Sequence, residues 1–363
     1  MRITAPISRA EEIGPMLAAG ADELYFGVVP LGWAERFGLS TVNRRTFGNL
    51  EDGEALRRTV DAIRDGGGEA SLALNGQHYT AERMELLQGL AERFAAAGGN
   101  AIIVGDLVLL GALALMGLDL RLHISSIAAC RNGEAALFYR DVGAARVVFP
   151  RHMTLEEMAD LAAAAPELEF EAFVLNDGCL FDEGVCHTIH LPMQLGGPIC
   201  MDNYDLDYRR DDGGPPPARE QAALDANDKA YKRWAWYKFS CGFSTTDDGQ
   251  PFGPCGLCAI PFFAAHGIGT IKIAGRETPT ERKLKSLELV RVTVDRMADG
   301  ADPAALADFA RNLRARPDRC AEGYMCYYPE VLDGAAGAQP PQLRSPQETS
   351  VRRRAPAGHE DSA

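Results

Sequence analysis

Residues 168–190 read LEFEAFVLNDGCLFDEGVCHTIH, a strand-like apolar run that empties into a glycine-marked loop carrying Cys179 and Cys186. Two soft ligands therefore follow a β-strand, which is where α/β folds keep their chemistry. Upstream, the same sequence rhythm recurs. Short β-like runs at 3–5, 23–27, 69–74, 101–104, 120–124 and 146–149 precede the run at 169–175 and alternate with amphipathic helix patterns, including 9–19 and 53–65. Such alternation predicts parallel strands joined by crossover helices. Several strands end in polar or glycine residues, among them Gly27, Asn75, Gly105 with Asp106, Ser125 with Ser126, and Asn176 with Asp177. In a (β/α) barrel those positions line the mouth. With one more strand at 270–273, the expected architecture is α/β, a (β/α) barrel that is complete or slightly incomplete.

The rhythm breaks between 191 and 256. The segment MDNYDLDYRRDDGGPPPAREQAALDANDKAYKRWAWYKFSCGFSTTDDGQPFG is charged, proline-bearing and aromatic, with one helix expected near 220–236. We expect residues 1–190 and 257–300 to form the core and 191–256 to be an insertion or lid, a peripheral linker being the alternative. A helix over 280–298 is expected to begin at Pro279 with Thr278 or Thr280 near its N-cap. Residues 301–333 would be a C-terminal extension, and 334–363, rich in Gly, Pro and Gln, a disordered tail.

The 363 residues are 46% hydrophobic and 24% charged, a balance that fits a globular protein with a large core. No stretch reaches the roughly 18 uninterrupted apolar residues of a membrane helix, and MRITAPISRAEEIG lacks the basic-then-apolar order of a secretory signal, so a cytoplasmic location is expected. In a reducing compartment nine cysteines, an odd number, point to metal ligands, redox groups or buried small side chains rather than a disulfide framework. A formal net charge of −14, with the RRR at 352–354 as the one basic run, disfavours nucleic acid as a partner.

Iron–sulfur clusters need about four thiolates converging on one point. The chain offers Cys179-x6-Cys186, then Cys200, then Cys255-x2-Cys258, each beside Gly or Pro. An iron–sulfur centre is the expectation; a structural zinc and buried thiols are the alternatives. Cys130 is expected in the core, and Cys320 and Cys326 in a packed extension rather than a metal site. Lys272 and Arg276, where a strand meets a turn, either hold an anionic substrate or cluster sulfide or form a salt bridge closing the barrel. Both are candidate catalytic residues, as is Arg151. Arg151 and His152 follow VVFP and are candidates for binding substrate or for capping the next helix, with Asn43, Arg44 and Arg45 on the same polar surface. His123 is expected to be a satisfied core histidine. No GxSxG or HExxH pattern supports a proteolytic centre.

GADELYFGV at 20–28, LHISSIAACRNGEAALFYRDVGAARVVFPRHMTLEEM at 122–158, EFEAFVLNDGCLFDEGVC at 169–186 and HGIGTIKIAGRE at 266–277 resemble, in order, signatures of the collagenase-like peptidase family U-32. The resemblance implies a TIM-barrel-like core. Members of that family include proteins for oxygen-independent ubiquinone hydroxylation and for hydroxylation of RNA bases, besides members named as proteases. It also implies a [4Fe–4S] cluster on Cys179, Cys186, Cys200 and Cys258, with Cys255 and Cys241 as alternates for the fourth ligand. The family's His-Gly before the first cysteine is Asn176-Asp177-Gly178 here, and its KIEGR is Lys272-Ile273-Ala274-Gly275-Arg276, without the acid. On this resemblance the expected activity is hydroxylation or a related redox step on a small aromatic or quinone-like molecule. The alternatives are a non-catalytic cluster subunit paired with a paralogous protein, and an RNA-base-modifying enzyme.

Overall fold

The fold was obtained as a computed structural model that describes residues 1–38, 42–45, 47–179, 182–186, 206–239, 244–245, 251–314, 320–321, 323 and 325–332. Its centre is a parallel sheet of short apolar strands: β1 (Arg2–Pro6), β2 (Glu23–Val29), β3 (Glu69–Leu74), β4 (Ala101–Val104), β5 (Arg121–Ile124), β6 (Ala144–Val148), β7 (Glu169–Leu175) and β8 (Thr270–Ile273). Sequences such as AIIV in β4 and ELYFGVV in β2 are buried almost throughout, as strands must be when helices cover one side and a barrel interior the other. The sheet closes on itself, because Thr4 of β1 pairs with Lys272 of β8 on one side and Glu23 of β2 on the other. The architecture is therefore a complete eight-stranded (β/α) barrel, TIM-barrel-like as expected. A ninth strand, Asn49–Glu51, pairs with Gly27, Val28 and Val29 at the carboxyl end of β2.

Crossover helices have legible local causes. Glu54–Asp65 buries Leu56, Thr59, Val60 and Ile63 at helical spacing. Asp106 caps Leu107–Met116 through the Leu109 amide, and Thr154 with Glu157 forms a capping box on Leu155–Ala164. The helix Thr280–Ala298 starts where expected, with Thr278 and Thr280 close to its N-cap. Pro279 is the N-cap and neither threonine caps it, because the Thr278 hydroxyl donates to the Gly275 carbonyl and that of Thr280 to Glu12.

In the region 191–256, the described residues hold the helix Ala218–Phe239 and a two-stranded ladder, Ser244–Thr245 with Pro251–Phe252. Among the described residues after the helix Thr280–Ala298 come the helix Pro303–Leu313 and the 3-10 turn Pro329–Leu332. The tail expected at 334–363 lies outside the described residues. Among the described residues no helix is long and apolar enough to cross a membrane.

The barrel interior carries a charged layer where branched apolar side chains usually fill such barrels. Arg146 donates to Glu23 at 2.7 Å and to Glu171 at 2.8 Å, Lys272 reaches Glu171 at 2.5 Å, and the Ser71 hydroxyl donates to Glu23 at 2.6 Å. Burial would raise the Glu171 carboxyl, but Lys272 and Arg146 more than reverse it, and Arg146 does the same for Glu23. Both stay ionised and below the usual carboxylate range. His123 sits in this layer with no exposure, its Nδ1 4.0 Å from Glu23. The sequence marked it as a satisfied core histidine; it is buried, yet neither ring nitrogen has a hydrogen-bond partner.

Candidate functional site

Above the charged layer, the carboxyl ends of the strands open into a cavity of about 550 Å³ counting its mouth. Its floor is Lys272 and Tyr25, with the Lys272 ammonium 4.2 Å from the Tyr25 ring centre. Asn75, Ser125 and Phe173 come from strand ends around the rim, and Arg44, Arg45, Arg151, Asp177 and Arg276 from the loops. Four guanidinium groups thus converge on one opening.

Three of these four are paired with carboxylates. Arg151 donates its backbone amide to Glu183 at 2.9 Å and its guanidinium to the same carboxylate, while lying 3.7 Å from the centre of the Phe173 ring. Arg44 reaches Glu183 at 3.3 Å, and Arg45 pairs with Asp177 and, at 3.6 Å, with Glu277. Burial opposes the Asp177 charge, but Arg45 and Arg151 outweigh it and hold that carboxyl well below its usual range.

Arg276 differs. It donates to Asn43 Oδ1 at 2.7 Å and Asn49 Oδ1 at 3.2 Å, and among the described residues no carboxylate lies within 4.0 Å of its guanidinium. Burial, aided by the positive charge of Arg45, pulls its pKa down to about 10. A charge removed from water and given only neutral partners is a receptor for an anion. Its seat depends on Gly27, where a Cβ would collide with Asn49, Asn43 and Arg276 itself.

The sequence candidates divide accordingly. Arg151, Arg276 and Lys272 all face the cavity, and Lys272 also makes the salt bridge inside the barrel. His152 is not among the residues lining it; its Nε2 lies 3.9 Å from Asp182. Neither Arg151 nor His152 caps the next helix, since Thr154 does. Cys179 and Cys186 are half-buried on the loop after β7, and Cys179 lies near enough to Arg151 to interact with it electrostatically. That loop leaves the strand through two left-handed residues, Asn176 at φ 65° and Asp177 at φ 52°, the first fixed by its Nδ2 donating to Ser286 at 3.0 Å. Cys200 and Cys241 lie outside the described residues. Cys258 and Cys255 line a different, apolar pocket together with Cys320 and Cys326, and among the described residues neither Cys179 nor Cys186 lines it. Burial pushes the Cys258 thiol up to about 12, with Cys255 and Cys320 near enough to add to the rise. Cys130 is fully buried, as expected.

Sequence reasoning missed Glu183, the carboxylate on which Arg44 and Arg151 converge. Its place between Cys179 and Cys186 does not set it apart from Asp182 beside it.

The profile of peptidase family U32 matches residues 8–334. The chain belongs to peptidase family U32. It is 25% identical over 203 residues to a collagenase of Porphyromonas gingivalis, covering 55% of this chain and 42% of that protein. It is 23% identical over 186 residues to tRNA hydroxylation protein P of Helicobacter pylori, covering 51% and 42%. With tRNA hydroxylation protein P1 of Bacillus subtilis, identity is 22% over 216 residues, covering 58% and 48%. The chain thus matches less than half the length of these relatives. A solved U32 peptidase, Mk0906, superposes with a TM-score of 0.36 at 19% identity, covering 48% of this chain and 68% of that one.

Proposed function

We propose that this U32 member is an iron–sulfur protein whose [4Fe–4S] cluster sits at the barrel mouth and serves oxygen-independent hydroxylation, or a related redox step, on a small planar anionic molecule. Support for a hydroxylation-related role comes from the relatives named tRNA hydroxylation proteins. The observation that carries the reading is the buried Arg276, without a carboxylate partner among the described residues, in a cavity bordered by the loop of Cys179 and Cys186.

The residues fit such a group. Cys179 and Cys186 are half-buried thiols, the first of them near Arg151, and a cluster held by four thiolates is net negative, which suits a mouth crowded with guanidinium groups. Cys200 is the third ligand in this proposal. The fourth falls to Cys241 rather than Cys258 or Cys255, since those two face Cys320 and Cys326. When bound, the cluster supplies electron transfer or an iron site for the oxygen donor. The chain itself holds the substrate's anionic group on Arg276, stacks its ring near Tyr25 and Phe173, and keeps Arg44, Arg45 and Arg151 in place through Glu183 and Asp177. A neutral, planar amide pair, Asn43 and Asn49, sets the direction of the Arg276 fork.

A proteolytic reading finds less support: Ser125 is at the mouth, but the nearest barrel histidine, His123, makes no hydrogen bond that would activate it. The deciding experiment is anaerobic purification followed by absorption spectroscopy and iron and sulfide analysis. A brown protein is expected whose iron, about four per cluster, disappears in Cys179→Ser, Cys186→Ser and Cys241→Ser but not in Cys130→Ser. Iron content unchanged in Cys179→Ser would sink the proposal. RNA binding at low salt that vanishes in Arg276→Met would redirect the substrate to an RNA base.

A further inference from the structure

One crossover helix is built unlike the others. Leu107–Met116 reads LVLLGALALM, 10 residues without a charged or polar side chain. The barrel takes up one side of it, where Leu109, Leu110 and Leu113 are buried. The opposite side is just as apolar, with Leu107 47%, Val108 63% and Leu115 90% exposed. A helix that meets water along one side carries polar residues there, as Glu54–Asp65 does with Glu54, Arg57, Arg58 and Asp61; one that is apolar all round belongs in an interior.

Single exposed apolar side chains are ordinary, whereas these are contiguous. At about 100° per residue, Leu107, Val108, Gly111, Ala112 and Leu115 share one stripe. The neighbouring helix Gly133–Val142 exposes Phe138 by 49%. The two helices meet at Ala114, whose Cβ lies 3.2 Å from where a Cβ on Gly143 would stand.

Gly111 sits at the middle of the stripe. Glycine inside a helix is less stable than alanine, so its presence asks for a reason. Among the described residues a Cβ at Gly111 would meet nothing within 4 Å, so packing within the fold does not supply that reason. Close approach of something from outside does.

Two features choose the occupant. The stripe reads the same in both directions, as large Val108, small Gly111 and Ala112, then large Leu115. A second copy laid antiparallel across a two-fold axis between Gly111 and Ala112 sets Val108 of each copy against Leu115 of the other, with small residues where the helices pass closest. In addition, a chain of formal net charge −14 repels its own copy, and a stripe without ionisable groups is where two copies meet at least electrostatic cost. A lipid surface suits the helix less, because it has no Lys or Arg to meet headgroups.

We propose that the helix Leu107–Met116, flanked by Phe138, is the contact through which two copies of this chain form a two-fold homodimer. Antiparallel helices set the two barrel axes antiparallel, so the mouths open at opposite ends and both stay accessible. Gly111 lets the helices approach, and Val108, Leu115 and Phe138 supply the apolar area that the contact removes from water.

The test is sedimentation velocity on the full chain across a concentration series, anaerobically and with reductant so that intermolecular disulfides do not imitate a dimer. Thermal unfolding is followed at each concentration. The expected result is a monomer–dimer equilibrium and a melting temperature that rises with concentration, since the contact forms between folded chains only. Gly111→Leu and, separately, Leu115→Lys should stay monomeric throughout, with melting temperatures independent of concentration. Both changes sit on the open side of the helix, and a melting temperature at high dilution equal to that of the wild type verifies that they fold. Gly111→Ala should raise the melting temperature at high dilution yet weaken the dimer, a combination that a purely structural role of the helix would not give. A wild type that stays monomeric up to about 100 μM overturns the proposal. So does a dimer that persists unchanged in Gly111→Leu and Leu115→Lys. Flotation of monomers with uncharged phosphatidylcholine vesicles, or a complex with a paralogous chain in place of self-association, assigns the stripe to another occupant and overturns it as well.

Discussion

Two sets of charges share the same barrel, one inside it and one at its mouth, and they obey opposite rules. Inside, Glu23, Glu171, Arg146 and Lys272 balance one another, each ion within 3 Å of an opposite one. At the mouth, Arg276 is nearly as buried, but among the described residues its guanidinium donates to asparagine amides and has no carboxylate within 4.0 Å. Pairing of this sort holds strands together and leaves nothing for a ligand; an unpaired buried cation contributes nothing to folding and is held in place by the rest of the fold. Burial and charge look alike in the two places, so the partners decide which group is structural and which is functional.

Breaking the inner set should have the largest effect. Arg146→Met leaves Glu23 and Glu171 buried against each other, and urea unfolding should show a loss of about 3–5 kcal/mol. An unmoved midpoint would mean that the layer is not what ties β2, β6 and β7 together. The mirror experiment is Arg276→Met, which removes an uncompensated charge. Its unfolding midpoint should stay level or rise, while affinity for a planar aromatic carboxylate such as 4-hydroxybenzoate, followed by calorimetry, should fall by about 10- to 100-fold, the worth of a charge-assisted hydrogen bond. Gly27→Ala should copy the binding loss by displacing the same guanidinium.

A smaller effect sharpens the comparison through pH. Burial first, and the positive charge of Arg146 second, hold the pKa of His123 well below the ordinary 6.5. Folded His123 is therefore neutral where the unfolded chain takes up a proton, so its contribution is complete above pH 6.5 and is lost as pH falls below it. The slope is at most about 1.4 kcal/mol per pH unit. Stability measured from pH 7 to 5 should decline less steeply in His123→Leu than in the wild type; parallel curves would remove His123 from the account. The depressed Glu23 and Glu171 act in a separate window, their contribution being present above the ordinary 4.5 and lost as pH falls through their lower folded values.

The barrel was legible because each of its strands is a short apolar run set between helical patterns, a signal local to the sequence. The edges were less so. β6 begins at Ala144, two residues before the run at 146–149, because paired alanines carry no strand signal of their own, and the strand Asn49–Glu51 escaped notice because NLE is too polar and too short. At the mouth, Arg151, Lys272 and Arg276 could be picked out since each follows a strand end. Glu183 could not, since in DEG it reads as one more loop acid, and only the folded chain shows it fully buried between two arginines. The company kept by Cys258 was hidden for a different reason: its neighbours Cys320 and Cys326 lie far along the chain, and no periodicity announces a contact at that distance.

The end of β7 is fastened from late in the sequence. Leu175 is bridged to Cys255, the Tyr327 hydroxyl donates to the Asn176 carbonyl, and that of Tyr328 donates to Phe173 at 2.8 Å across 155 residues. A ribosome releases β7 long before it releases these tyrosines, and domains assemble from the N-terminal side as they emerge. The stem of the loop of Cys179 and Cys186 is therefore complete only once Tyr327 and Tyr328 have been made.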